Sequence, residues 1–146
     1  MAQYKPMALV AADQEDLQAI SALLQDAVLK IGDAAYVQNE RRFAFVTNRY
    51  VWEVPAGFLS RGQRVRAGVH FDDVTGVKTK NLRLDAKEAV VEILSTEYDG
   101  DENGGVITIN LAGGGAIALD VEAINANLND ISEPWRASRR PKHEGV

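Results

Sequence analysis

The sequence predicts an α+β fold: an N-terminal helix, an antiparallel sheet of about seven short strands, and a C-terminal amphipathic helix packed on that sheet. Three observations carry the prediction. Apolar residues recur at three- and four-residue spacing near both ends of the chain, the periodicity of a helix with one buried face. Between them lie short segments of alternating character, separated by Gly, Asn, Asp and Pro, as strands and their turns require. The 146 residues, 46% hydrophobic and 25% charged, suit one globular domain over 1–146. Its ordered core is expected at 7–135, followed by a basic tail over 136–146 that frays.

Residues 7–11 form a short apolar run, a candidate first strand. Asp13 follows as a helix N-cap, with Glu15 and Asp16 against the positive end of the dipole. Leu17, Ile20 and Leu24, widened by Leu23 and Ala27, predict a helix over about 14–26. Strand candidates then run over 34–38 and 42–53, the second rich in Phe43, Phe45, Tyr50 and Trp52. Residues 54–62 read as a loop. In 64–71, Val65, Ala67, Val69 and Phe71 point one way and Arg64, Arg66, Gly68 and His70 the other. Further strands are expected over 74–80, 89–98, 106–111 and 116–119, with turns at 99–105 and 112–115. Asp120 then caps a second helix, whose stripe is Val121, Ile124, Leu128 and Ile131 and which Pro134 ends. That helix needs a surface to cover, and an open end of a sandwich or partly open barrel supplies one. The order is similar to a pleckstrin-homology-like (PH-like) barrel, in which a C-terminal helix plugs one end.

Charge is segregated along the chain. Residues 88–133 hold ten acidic residues and no Lys or Arg, whereas 38–87 hold ten basic against five acidic residues. Opposed patches of this kind bear on partner choice more than on fold. The net charge of −5 speaks against nucleic acid as a partner. No apolar run is long enough to span a bilayer, and the first residues lack the apolar core of a signal peptide, so a cytoplasmic location is expected. Zero cysteines exclude disulfides, thiolate nucleophiles and cysteine metal sites. With two histidines, a three-histidine metal site cannot form within one chain. No cofactor and no metal are expected.

Several motifs mark a family. They are Ser-Ala-Leu-Leu-Gln-Asp-Ala at 21–27, Arg-Arg-Phe at 41–43, Asn-Arg-Tyr-Val-Trp-Glu at 48–53, Ala-Gly-Gly-Gly-Ala-Ile at 112–117, Leu-Asp-Val-Glu at 119–122 and Pro-Lys-His at 141–143. Over about 7–143 the chain resembles a bacterial domain-of-unknown-function family, number 2948. The resemblance implies a cytoplasmic bacterial protein of this size and brings no activity or catalytic residue with it.

The candidate chemistry is thin. Residues 99–104 match the first half of a calcium loop, but the twelfth position is Asn110 where a bidentate Glu is needed; an acidic hairpin turn fits better. Gly113, Gly114 and Gly115 lack the spacing and lysine of a P-loop and read as a tight connection between strands. His70 beside Asp72 and Asp73 could form a base, yet no nucleophile stands in a recognisable motif. Arg41, Arg42, Arg49, Arg61, Arg64 and Arg66, with Tyr50 and Trp52 interleaved, are candidates for binding an anion or a partner. Trp52, Glu53 and Asp120 belong to the family motifs, and an Arg49–Glu53 or Arg49–Asp120 pair would fix the architecture without a ligand. The expected function is therefore a non-enzymatic binding or adaptor module, with a protein partner or self-association through its charged surfaces. The alternatives are a small enzyme using the arginines with His70 and Asp72 or Asp73, and an RNA-associated regulator.

Overall fold

The computed structural model describes residues 3–55, 61–138 and 141. Strand β1 (Ala8–Ala11) leads into the helix α1 (Gln14–Leu24). Asp13 caps α1 by accepting from the Asp16 amide at 2.8 Å, and Leu17, Ile20, Leu23 and Leu24 form the helix's buried face. Strands β2 (Val28–Lys30) and β3 (Ala34–Val37) follow, separated by a single 3-10 turn, Ile31–Asp33. Then come β4 (Arg42–Tyr50), β5 (Gln63–Phe71), β6 (Val74–Lys80), β7 (Val90–Asp101) and β8 (Gly104–Leu111). The last three are β9 (Ala116–Val121), β10 (Ala126–Asp130) and β11 (Trp135–Arg136).

All eleven strands belong to one antiparallel sheet, ordered β1-β10-β5-β4-β2-β7-β8-β9-β6, with β11 added to β5 and β3 to β4. The β5 alternation buries Val65, Ala67, Val69 and Phe71, directly opposite Arg49, Thr47, Phe45 and Phe43 on β4. Ile107, Ile109 and Leu111 of β8 and Ile117, Leu119 and Val121 of β9 join Phe43, Phe45, Val69 and Phe71 in one core with the α1 leucines. The two halves of the sheet therefore curl over a shared interior, with β2 as the hinge strand between them.

The expected C-terminal helix is not formed, and the PH-like arrangement it would plug falls with it. The one α-helix among the described residues is α1. Asp120, expected as an N-cap, lies inside β9, and 126–130 is a central strand paired to β1 on one side and β5 on the other. The physical reason lies in the side chains. Four Asn and Asp residues over 125–130 compete with helical hydrogen bonding, and β1 and β5 supply both ladders that a strand needs. Ala126 and Leu128 are buried, while Ile131, the last residue of the supposed stripe, is 56% exposed. Strands β2, β10 and β11 were not expected; with the candidate first strand, β1, and the seven expected after α1 they make eleven. Of the tail expected to fray over 136–146, all but 136–138 and Pro141 lie outside the described residues; Arg136 belongs to β11, and Ala137 is buried, its amide donating to the Gly62 carbonyl at 3.0 Å. No helix among the described residues is long and apolar enough to cross a membrane.

Candidate functional site

Arg49 occupies an inward position on β4, in line with Phe43, Phe45 and Thr47, and its side chain is 0% exposed. All five of its N–H donors are used. Nε and Nη2 donate to Asp130 at 2.9 and 2.8 Å; Nη1 and Nη2 donate to Glu53 at 2.9 and 2.7 Å; Nη1 also reaches the Tyr50 carbonyl at 3.3 Å. Asp130, also 0% exposed, further accepts from the Tyr4 hydroxyl at 2.8 Å and the Met7 amide at 2.9 Å. Burial pushes the Asp130 carboxyl up, but Arg49, the Met7 amide and Tyr4 outweigh it and hold the group below its ordinary range. Burial and the Asp130 carboxylate raise the Tyr4 phenol well above its usual value. A guanidinium with every donor taken inside the protein holds the fold together and has none left for a ligand. Its second carboxylate is Asp130, not Asp120.

Of the other arginines, Arg41, Arg42, Arg64 and Arg66 have side-chain partners of their own. Arg41, in the left-handed backbone region at φ 54°, pairs with Glu122. Arg42 Nε donates to Asp72 at 2.6 Å, and Asp72 contacts His70 Nδ1 at 2.9 Å; Asp73 turns instead to Asn125, at 3.2 Å. Arg64 Nη1 donates to the Asn48 and Asp26 carbonyls at 3.0 and 3.2 Å, with its guanidinium 5.9 Å from the Tyr50 ring centre. Arg66 lies 3.9 Å from Asp33. The Arg61 carbonyl accepts from the Tyr50 hydroxyl at 3.1 Å. Trp52 packs against Tyr50 with ring centres 4.6 Å apart and planes tilted by 59°, and donates from Nε1 to the Gln25 carbonyl at 2.8 Å. The 48–53 motif thus ties the end of α1 to β4 and β5.

The glycine and acidic motifs resolve into turns. Strands β7 and β8 stay paired as far as Asp101 opposite Gly104, and Asp101 accepts from the Asn103 amide at 2.8 Å. Asn110 donates to Ser95 at 3.0 Å across the same pair. Gly113 and Gly114 have φ of 87° and 92°, a conformation that favours glycine, where the chain reverses from β8 to β9. Asp120 faces Gly76 on β6. Among the described residues no group of three or more His, Asp or Glu is placed to hold a metal. His143 lies outside them.

A cleft opens where the sheet forks. Strand β2 leaves β4 after the Val28–Asn48 pair and joins β7, while β3 stays on β4 through Ala34–Phe45 to Val37–Arg42. Among the described residues no strand pairs with the far edge of β3 or with that of β6. The two edges meet at one end, where the Tyr36 hydroxyl and the Arg41 carbonyl bond the Val74 carbonyl and amide, each at 2.9 Å. Beyond that point they enclose about 180 Å³. Leu29, Ile31 and Val91 form one wall; Ala34, Ala35, Tyr36 and Phe43 a second; Val77, Thr79 and Ile117 a third; Leu82 and Leu84 close it from the loop after β6. Leu84 is 56% exposed at the mouth. Neither His70 nor any of the six arginines lines it.

A family model described as a protein of unknown function, DUF2948, matches residues 7–143. The chain belongs to the DUF2948 family. Neither curated proteins nor solved structures contain a significant match to it. No specific function is attached to DUF2948 by these comparisons. In this DUF2948 chain the polar motif residues around Arg49 build the frame, while Phe43 and Ile117 of the motifs also line the cleft. Sequence reasoning missed it because its walls come from segments spread over residues 29–117. The one available signal was Leu82 and Leu84 in a polar loop, where an unpaired leucine asks for a partner.

Proposed function

We propose that this protein is a non-enzymatic binding module whose ligand is apolar and occupies the cleft between β3 and β6. The observation that carries the reading is the lining. Its only polar side chains are Tyr36, whose hydroxyl is committed to Val74, and Thr79. An aliphatic cavity of roughly 150 Å³ stays dry and accepts a small apolar guest, and this one is larger and opens to solvent. The rival enzymatic reading has one contact in its favour, the His70–Asp72–Arg42 chain. His70 stands on the outward face of β5, Asp72 just past its end and Arg42 at the start of β4, however, and none of the three lines the cleft. The arginines as an anion site, and the RNA reading with them, are weakened by the carboxylates and carbonyls that already hold Arg41, Arg42, Arg49 and Arg64.

The test is a fluorescence titration with N-phenyl-1-naphthylamine. Saturable, blue-shifted emission at one site per chain is expected. Val77→Phe, which fills the cleft, should abolish the signal while the melting temperature moves by no more than about 3 °C, the equivalent of roughly 1 kcal/mol. Emission that does not saturate, or that survives in a folded Val77→Phe, would sink the reading.

A further inference from the structure

The free edge of β6 gives the cleft a partner: we propose that it takes an extended peptide segment that pairs with β6 as an added strand, its apolar side chains entering the cleft and its acidic ones facing Lys78 and Lys80. The inference rests on the reading of the cleft as a binding site and names the class of ligand. It begins with the backbone. The Leu111 amide donates to the Gly115 carbonyl at 2.8 Å, a hydrogen-bonded pair where β8 turns into β9. Such pairs alternate along an antiparallel ladder, so Ile109–Ile117 and Ile107–Leu119 are hydrogen-bonded pairs as well. Ile117 and Leu119 therefore point their N–H and C=O groups at β8. Thr79 and Val77, opposite them on β6, point theirs away from β9, along the edge where no described strand pairs. The start of β6 agrees. There the Val74 amide turns from its partner Val121 to the Arg41 carbonyl at 2.9 Å, while the Glu122 amide donates to the Asp73 carbonyl at 3.0 Å.

Side chains set the selection. Val77 and Thr79 line the cleft, and alternation sends Lys78 and Lys80 to the opposite face of β6, where both are exposed. Among the described residues neither forms an ion pair, whereas Lys30 is held by Glu88 at 3.3 Å and Arg83 by Asp85 at 3.1 Å. A strand added to β6 has the same two-residue period. Its residues opposite Val77 and Thr79 share their face and reach the cleft; those opposite Lys78 and Lys80 lie on the lysine face, where carboxylates complete cross-strand pairs. Main-chain bonds then supply attachment and alternate side chains supply specificity. The cleft's 180 Å³ is comparable with a cavity of roughly 150 Å³ that takes a benzene ring, so one side chain of leucine or phenylalanine size fits. A second copy of β6 is a poor occupant, because edge-to-edge pairing would gather the lysines of both chains on one face.

The experiment displaces N-phenyl-1-naphthylamine with end-blocked peptides: Glu-Val-Glu-Leu-Glu-Val-Glu, its counterpart with Lys for every Glu, and the acidic composition rearranged as Glu-Glu-Val-Leu-Val-Glu-Glu. The alternating acidic peptide should bind about tenfold more tightly than either of the others, a difference of about 1.4 kcal/mol. It should also slow hydrogen exchange at the Val77 and Thr79 amides, read by NMR. Lys78→Glu with Lys80→Glu should reverse the preference toward the lysine peptide, a gain that a merely unfolded variant would not show. Equal affinities for the acidic and lysine peptides, or for the alternating and rearranged ones, overturn the inference. So does displacement without protection at Val77 and Thr79, or an unreversed preference in the folded double variant. If the dye binds and no peptide displaces it, the inference falls while the cleft stands. If the dye itself never binds, both readings fall.

Discussion

Replacing Asp130 by Ala should be among the most damaging single changes in this protein, and the contacts of Arg49 set its size. The substitution removes two of the five hydrogen bonds of a guanidinium that water does not reach. It also strips the Tyr4 hydroxyl and the Met7 amide of their acceptor. Charge-assisted bonds contribute about 1.5–3 kcal/mol each, and removing one partner of a buried pair costs about 3–5 kcal/mol. A loss of about 4 kcal/mol follows. Glu53→Ala is the control. It also removes two bonds from Arg49, but Glu53 is 23% exposed, so water replaces the carboxylate and the cost should stay near 1 kcal/mol. Urea denaturation reads both values from midpoints at constant slope. Thermal melting should fall by about 8–16 °C for Asp130→Ala. Equal costs for the two variants, or a loss below about 1 kcal/mol for Asp130→Ala, would refute the argument that burial makes this pair decisive.

Two further outcomes are expected. Asp130 has a folded pKa below its ordinary 3.8, so its contribution is complete above that value and is lost as pH falls through the lower folded value; Asp130→Asn should flatten the acid limb of a stability–pH curve measured by urea midpoints between pH 5 and pH 2. Leu128→Asp, at a fully buried position, should cost more than about 4 kcal/mol, whereas Ile131→Asp, at a 56% exposed one, should cost less than about 0.5 kcal/mol; similar losses in melting temperature for the two would restore the discarded helix.

How much of this was legible depends on which residues face inward. Strand β5 could be read directly because Val65, Ala67, Val69 and Phe71 make every second residue apolar, and α1 because Asp13 announces it. Strand β10 could not. Its inward set is Ala126, Leu128 and Asp130, and a charge in that set breaks the alternation that would identify a strand. What compensates the charge, Arg49, lies on β4, far away in sequence. With the true pattern masked, the spacing of Val121, Ile124, Leu128 and Ile131 matched a helix by coincidence. The structural pairing of Arg49 with Glu53 could be read from the 48–53 motif; its second carboxylate, Asp130, could not, because an inward aspartate on β10 reads as a surface residue. The cleft was illegible for another reason: it is made by a fork in strand pairing, and pairing is not a local property.

The tie between the Met7 amide and Asp130 spans 123 positions, and that distance dictates an order of events when the chain is made from its N-terminus. Strand β1 emerges before the other described strands and among them has only β10 to pair with, so it must wait as an unpaired strand until residues 126–130 exist. Closing a loop of that length costs about 2 kcal/mol more than closing one a tenth as long, whereas β7, β8 and β9 follow one another as a meander and can pair as they appear. Arg49 waits as well, with only Glu53 close in sequence. One carboxylate, supplied late, completes both the first strand and the buried guanidinium, so no partial product of synthesis ending before Asp130 can hold either in its native place.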